Sequence, residues 1–109
     1  MSTYLLVYRA PENYAPTAET ASNWSAWYQK LGANLKDRGN PVFKSESLGN
    51  SESDVALGGY SMIRAGSLEE AVSLAKGCPF LQEDGGVEVG EVKITDDQFD
   101  AWLQANPAT

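Results

Sequence analysis

Aromatic side chains and a few charged ones are the groups through which this chain could do chemistry, because its 109 residues include no histidine and one cysteine. A tryptophan or tyrosine ring can stack on a flat organic molecule while its N–H or O–H group makes a hydrogen bond. Packing in the core explains the same rings equally, since an amphipathic helix must bury one face. Six residues are candidates for binding a ligand: Tyr8, Arg9, Trp24, Trp27, Tyr28 and Tyr60.

Glu88 and Tyr28 are the candidate acid–base residues. Glu88 lies in the middle of a β-rich run, and burial beside aromatic rings would make its carboxylate a stronger base. The alternative for Glu88 is a structural carboxylate paired with a basic side chain on a neighbouring strand or subunit. Arg9, at the end of a strand, either holds a ligand carboxylate or is a solvated surface group. The sequence alone assigns no residue as catalytic.

No metal or other cofactor is expected. Zinc, copper and haem sites depend on histidine or cysteine ligands, and the paired glycines do not form a phosphate-binding sequence. Cys78 follows the end of a predicted helix, where the helix dipole disfavours a thiolate, and no histidine is present to take its proton. We therefore predict that Cys78 is a small buried apolar residue.

The composition predicts one globular domain over residues 1–109, with a core over residues 3–94. The net charge of −7 argues against nucleic acid as a partner, because polyphosphate would be repelled. The N-terminal residues lack a basic segment leading into an apolar one, and no apolar run is long enough to span a membrane. A cytoplasmic location without membrane contact is the expectation.

The order of elements follows from changes of periodicity along the chain. A helix signal begins near Thr17 or Thr20, and apolar residues recur at three- and four-residue steps until Gly39-Asn40-Pro41. A second helix has Ser67 as its N-cap and stops at Gly77, where a left-handed conformation is expected. The predicted strands are Tyr4 to Arg9, Val42 to Leu48, Leu57 to Arg64 and Val87 to Ile94, and a C-terminal helix is predicted at about residues 96–105.

This β-α-β-β-α-β order predicts an α+β, ferredoxin-like fold, an antiparallel sheet with two helices on one face and a short C-terminal helix added. The first strand is apolar or aromatic on both sides, with Tyr4, Leu6 and Tyr8 alternating against Leu5 and Val7. A second copy of the sheet is the simplest cover for the face without helices. We therefore expect a homodimer in which two sheets meet face to face.

The sequence resembles the YCII-related family from the first strand to about Val92. No single motif is diagnostic of the family, but the order and spacing of several segments match the family pattern. The matching segments are Tyr4-Leu5-Leu6-Val7-Tyr8, the Leu31, Leu35 and Gly39 spacing, Leu57-Gly58-Gly59-Tyr60, Leu68-Glu69-Glu70-Ala71, Ala75-Lys76-Gly77-Cys78-Pro79 and Gly86-Val87-Glu88-Val89. The resemblance implies a dimeric α+β barrel and no settled activity.

The chain departs from the family pattern at positions linked to chemistry. Some members carry a histidine on the first helix, proposed with an aspartate to be catalytic, and Tyr28 takes its place here. The Asp-Gly-Pro-Phe segment of many relatives is missing. Where many relatives have Arg-Pro after Val-Glu-Val, this chain has Gly90-Glu91. The catalytic and anion-binding roles of those residues do not transfer.

Two hypotheses remain. The preferred one is non-catalytic binding of a small organic ligand in a cavity between sheet and helices. The other is a cofactor-free enzyme that isomerises, or moves a proton on, a small apolar or aromatic substrate, with Glu88 or Tyr28 as the acid–base group. The Gly49 to Val55 loop is a candidate lid. Trp24 and Trp27 lie about 300° apart around a helix, so the aromatic residues need not all share one pocket.

Overall fold

A computed structural model describes residues 1–51 and 56–106 and shows the predicted α+β, ferredoxin-like fold. Four strands form one antiparallel sheet in the order β2-β3-β1-β4. The elements are β1 (Ser2–Ala10), α1 (Ala18–Leu31), β2 (Leu35–Asp37), β3 (Ala56–Ala65), α2 (Leu68–Ala75), β4 (Gly86–Thr95) and α3 (Asp96–Ala105), with single 3₁₀ turns at Gly32–Asn34, Gly49–Ser51 and Pro79–Gln82.

The core lies between the sheet and the pair α1 and α2. Alternation along β1 turns Tyr4, Leu6 and Tyr8 toward the helices, where all three are buried. Their partners on β3 in the antiparallel register are Ile63, Ser61 and Gly59. Ile63 and Ala65 of β3 also belong to the buried core. Its remaining residues come from α1, α2 and the chain that follows α2: Trp27, Leu31, Ala71, Ala75, Cys78 and Phe80.

The prediction that the first helix continues to Gly39 was wrong. α1 ends at Leu31, and Gly32 follows in a left-handed conformation with φ 54°. Its amide donates to the carbonyl of Tyr28, which satisfies one of the free carbonyls at the helix end. Leu35, four residues after Leu31, matches the helical spacing but pairs with Ile63 of β3 as the first residue of β2.

The predicted strand from Val42 to Leu48 was also wrong, because β2 precedes it as the partner of β3. Pro41 forms an isolated bridge with Gly59, and the amide of Val42 donates to the carbonyl of Gly58. Beyond that point the chain leaves the sheet, and the side chains of Phe43 and Leu48 are 80% and 83% exposed. Of the apolar residues of that segment, Val42 is partly buried. The predicted lid reaches residues 52–55, which lie outside the described residues.

α2 begins as predicted, since the Ser67 side chain accepts a hydrogen bond from the amide of Glu70 at 3.1 Å. Gly77 does not have the predicted left-handed conformation. A Cβ at Gly77 would lie 2.7 Å from the Trp27 ring, so close packing requires the glycine there. Cys78 is buried as predicted, and burial raises its pKa to about 11, which keeps it a thiol at neutral pH.

α3 lies against the sheet face opposite to α1. Its Asp100 accepts a hydrogen bond from Lys36 at 2.8 Å and lies 3.8 Å from Arg64. Arg64 stands opposite Thr3 in the register, and both alternate with the residues that face the helices. Thr3 is fully buried. α3 therefore covers one end of the face for which the sequence suggested only a second copy of the sheet.

Replacing Asp100 with asparagine is expected to destabilise the protein at neutral pH. The Lys36 hydrogen bond lowers the pKa of Asp100 below its unfolded value, so the carboxylate stabilises the fold above that unfolded pKa and less as the pH falls through the folded one. Urea unfolding should show Asp100→Asn weaker than wild type at pH 7, with the difference shrinking toward about pH 3. Asp97→Asn, an exposed position on the same helix, is the control. A difference that does not depend on pH would contradict this role of the ion pair.

Candidate functional site

A cavity of about 330 Å³ opens between α1, the ends of β1 and β3, and the chain segment that follows β2. This is within the size range of pockets for small organic molecules. Two larger depressions nearby, of about 750 and 510 Å³, border the Pro11–Tyr14 loop and are lined mainly by polar loop residues. The residues that line the cavity are Tyr8, Ala10, Tyr14, Pro16, Thr20, Ala21, Trp24, Ser25, Tyr28, Arg38, Gly39, Asn40, Pro41, Val42, Phe43, Gly58, Tyr60 and Phe80.

An aromatic cluster lies on the inner side of the cavity, and its rings other than Trp27 form the inner wall. The cluster consists of Tyr8, Tyr14, Trp24, Trp27, Tyr28 and Phe80. The Trp24 ring stands edge-on to Tyr8 at 4.8 Å and to Phe80 at 4.9 Å between ring centres. Edge-to-face contacts of this kind fix ring orientation as well as burying apolar area. The wall is therefore preformed, held by β1, α1 and the turn after α2.

Trp24 and Trp27 play different parts although their rings touch, at 5.7 Å between centres. A separation of 300° around the helix is 60° in the other direction, so the two rings lie on neighbouring faces of α1. Trp27 is 5% exposed, its indole N–H donates to the carbonyl of Leu74 at 3.3 Å, and it does not line the cavity. Trp24 is half-buried and lines it.

Ser61 joins three elements beneath the cavity. Its hydroxyl donates to the carbonyl of Arg38 at 2.6 Å and accepts from the hydroxyl of Tyr8 at 2.8 Å. The Tyr28 oxygen lies 3.4 Å from the same Ser61 oxygen. Because the only Ser61 proton is used by the carbonyl, both phenols must act as donors toward Ser61. A fully buried serine thus ties β1 and α1 to the segment after β2.

Tyr8 is a hydrogen-bond donor at neutral pH. Burial raises its pKa far above the usual range, which outweighs the opposing effect of the Ser61 hydrogen bond. A phenol in this state does not act as a base. Tyr8 can therefore position other groups of the site, but it does not supply proton-transfer chemistry.

Arg38 brings a positive charge to the cavity. Its guanidinium carbon lies 4.8 Å from the centre of the Tyr28 ring, a cation–π contact. The backbone beside it is fixed by Gly39, which has φ 71° and approaches the sheet so closely that a Cβ would lie 1.8 Å from the carbonyl oxygen of Tyr60. Arg38 is thus set at the mouth of the cavity by local chain geometry.

The structure brings together only part of the predicted set. Tyr8, Trp24 and Tyr28 line the cavity, and Tyr60 borders it, with its hydroxyl accepting from the Asn40 side chain at 3.2 Å. Arg9 and Glu88 alternate onto the other sheet face, where they form an ion pair at 3.6 Å. Glu88 is not buried beside aromatic rings, since its side chain is 73% exposed. Its position is that of the structural alternative, a carboxylate paired across neighbouring strands.

Sequence reasoning missed Arg38, Ser61, Tyr14 and Phe80. The helical spacing predicts that Arg38 lies in the last turn of a helix. The following Gly39-Asn40-Pro41 is equally a signal for a tight turn that joins two extended segments. Ser61 carried a usable signal, because it alternates in phase with Ile63 and so lies at an inward position of β3. Tyr14 and Phe80 carry no sequence signal beyond being aromatic, because they come into contact only when two separate loops pack together.

Neither metal ligands nor membrane spans are found in the described part of the chain. Residues 1–51 and 56–106 contain no group of three or more cysteine, aspartate or glutamate side chains arranged to hold a metal ion. None of the described helices has both the length and the apolar character needed to cross a bilayer.

Comparison with known proteins gives a family and a fold. The model of the YCII-related domain matches residues 1–96, which leaves most of α3 outside the match. No curated protein matches the chain significantly. Among solved structures, the chain resembles the 5-chloro-2-hydroxyhydroquinone dehydrochlorinase of Burkholderia phenoliruptrix AC1100, determined in complex with 2,5-dihydroxybenzoquinone. That match has a TM-score of 0.53 and 20% identity, and it covers 86% of this chain and 97% of the other. At this identity the match shows a shared fold.

Proposed function

This chain belongs to the YCII-related domain family, and from that premise we propose that it binds a small, flat organic ligand in the cavity between α1 and the sheet, without catalysing a reaction on it. The observation that carries the proposal is the wall formed by Trp24, Tyr28 and Phe80. In this wall Trp24 stands edge-on to Phe80 and tilted against Tyr28, and both rings of α1 are half-buried. Preformed aromatic surfaces with a few hydrogen-bonding groups are typical of ligand pockets.

The chemistry of the lining favours binding over catalysis. No aspartate or glutamate of the described residues lines the cavity, and Tyr8 is held as a neutral phenol. General acid–base catalysis needs a group that can gain or lose a proton near neutral pH within reach of the ligand. Of the two candidate acid–base residues, Glu88 and Tyr28, Tyr28 lines the cavity, and its hydroxyl lies beside Ser61 rather than beside a base.

A cofactor-free enzyme is the second candidate, and the structural neighbour is the observation that favours it. That protein is a dehydrochlorinase bound to a six-membered ring compound, on the same fold. By analogy, this chain would carry out an isomerisation or proton transfer on a small apolar or aromatic substrate, with Tyr28 as the acid–base residue. Glu88 would not serve from its present position on the opposite sheet face. Turnover of a bound compound that Tyr28→Phe abolishes would establish this alternative.

Replacing Tyr28 with phenylalanine tests the site. The variant keeps the ring and loses the hydroxyl, whose bond to Ser61 is long at 3.4 Å. We expect the melting temperature to stay nearly unchanged and ligand affinity, followed by tryptophan fluorescence, to fall by about threefold to tenfold. Tyr4→Phe is the matched control, because it removes a phenol hydroxyl group from a buried residue that does not line the cavity. It should leave the ligand affinity unchanged. Lost stability with retained affinity would mean that Tyr28 is structural and the site is elsewhere.

The expected second copy of the chain forms part of the proposal. Beyond the end covered by α3, the sheet face opposite to α1 carries the partly exposed apolar residues Leu5, Val7 and Met62, and α3 itself exposes Trp102 and Leu103. These surfaces lie on the same side of the molecule, which supports the proposal that a second copy of the chain, related by a twofold axis, covers them. Light scattering at micromolar concentration should give about twice the 11.8 kDa chain mass. A mass of one chain at that concentration would remove the dimer from the account.

A further inference from the structure

We propose that the ligand of this cavity is a planar aromatic carboxylate, whose negative charge is held by Arg38. The inference rests on the proposed function and adds the chemical class of the ligand. Three observations support it: the distribution of charge around the cavity, the contacts that orient Arg38, and the lack of a described carboxylate within salt-bridge distance of its guanidinium.

The charge in the cavity is opposite to that of the chain. The sequence has 15 acidic and 8 basic residues, and the net charge is −7. Among the described residues that line the cavity, however, Arg38 carries the one formal charge. Arg38 is exposed to solvent, so its charge attracts anions and repels cations in a salt-dependent way. The charge of Arg38 therefore favours a negatively charged ligand.

Three other positive side chains of the sheet have a carboxylate partner. Arg9 pairs with Glu88, while Lys36 and Arg64 share Asp100. In the part of the chain that the structure describes, Arg38 has no carboxylate within salt-bridge distance. A guanidinium has five N–H donors in a planar arrangement that matches the two oxygens of a carboxylate. Those donors are available to a ligand.

Arg38 is also oriented before any ligand arrives. Ser61 donates to its carbonyl at 2.6 Å, and the Tyr28 ring lies under its guanidinium at 4.8 Å. Stacking on the ring restrains the planar group and leaves its edge free for hydrogen bonds. When the carboxylate of an aromatic ligand pairs with that edge, the ring of the ligand points toward Trp24 and Tyr28, the two half-buried rings of α1 in the lining. The cavity volume of about 330 Å³ accommodates one or two fused rings.

Calorimetric titration with β-naphthoate and its neutral amide, β-naphthamide, tests the charge. The two probes share ring and size, and the carboxylate is fully ionised at pH 7. We expect β-naphthoate to bind wild type about tenfold more tightly than the amide at low salt, with the difference shrinking as salt is added. Arg38→Met should remove this preference, and Arg38→Lys should keep part of it because the charge stays while the two-pronged contact is lost.

Lys30→Met is the matched control, since it removes one positive charge from an exposed position of α1 that does not line the cavity. It should leave the preference for β-naphthoate intact. Equal binding of the two probes to wild type, or a preference that survives Arg38→Met, would overturn the inference and leave the proposed function standing. Failure of both probes to bind wild type would count against the proposed function itself and the inference with it. Melting temperatures of the variants confirm that each is folded.

Discussion

Replacing Gly39 with alanine is expected to lower the free energy of unfolding by about 3 kcal/mol, the sum of backbone strain and steric overlap. Gly39 has φ 71°, and an added Cβ would lie 1.8 Å from the carbonyl oxygen of Tyr60 and 2.7 Å from its carbonyl carbon. Both atoms belong to the backbone of β3, so neither can rotate away. The segment after β2 would have to leave the sheet edge, and Arg38 and Asn40 would move away from the cavity with it.

Gly32→Ala separates the two contributions. Gly32 also has a positive φ, 54°, but a Cβ there would meet no atom within 4 Å. Its substitution should cost about 1 kcal/mol, from conformational strain alone. Urea unfolding of the two variants gives the comparison directly. Equal losses of stability would mean that the sheet edge does not hold Gly39 as closely as described.

Replacing Trp27 with alanine is expected to lower the free energy of unfolding by about 3 to 5 kcal/mol, as for other large buried aromatic residues. The Trp27 ring fills the space between α1 and α2, packs against Gly77, and donates its only polar hydrogen to the carbonyl of Leu74. Removing it leaves a cavity and takes away one donor to the Leu74 carbonyl, which still accepts from the amide of Gly77. Chemical unfolding measured by circular dichroism gives the loss without relying on tryptophan fluorescence.

Trp24→Ala is the matched variant three residues away on the same helix. Trp24 is half-buried and lines the ligand cavity, so its loss should destabilise the fold less than the loss of Trp27 and weaken the binding of an aromatic ligand more. A stacking surface of this kind contributes about tenfold or more to affinity. If Trp24→Ala destabilises the protein as much as Trp27→Ala and leaves binding intact, the division of the aromatic cluster into core and wall is wrong.

The sequence was sufficient to predict the fold because local signals and periodicity agree over most of the chain. Ser67 capped α2 as predicted, and alternation in β1 put Tyr4, Leu6 and Tyr8 on one face. The error at β2 arose where two signals compete. The spacing of Leu31 and Leu35 is compatible with one continuous helix and also with a helix that ends at Leu31 and is followed by a strand. The pairing of Leu35 with Ile63 decides between the two.

The site was harder to predict because it depends on which sheet face the helices cover. Alternation shows that Glu88 points away from Val87 and Val89, but no local signal says which of the two directions leads to α1. Arg38 reaches the cavity through the left-handed turn at Gly39 and the hydrogen bond from Ser61, a residue 23 positions away. Contacts between residues so distant in sequence leave no periodic pattern to read.

The three tryptophans allow the central claim, a ligand site at the aromatic wall, to be tested in one measurement. Each indole N–H gives its own amide-correlation NMR signal, and the three report on the cavity wall (Trp24), the core (Trp27) and the opposite sheet face (Trp102). On titration with benzoate, β-naphthoate and their amides, the account predicts that the Trp24 signal shifts most, the Trp27 signal less, and the Trp102 signal not at all. A shift of Trp102 alone, or no shift of Trp24 with any of these compounds, would contradict it.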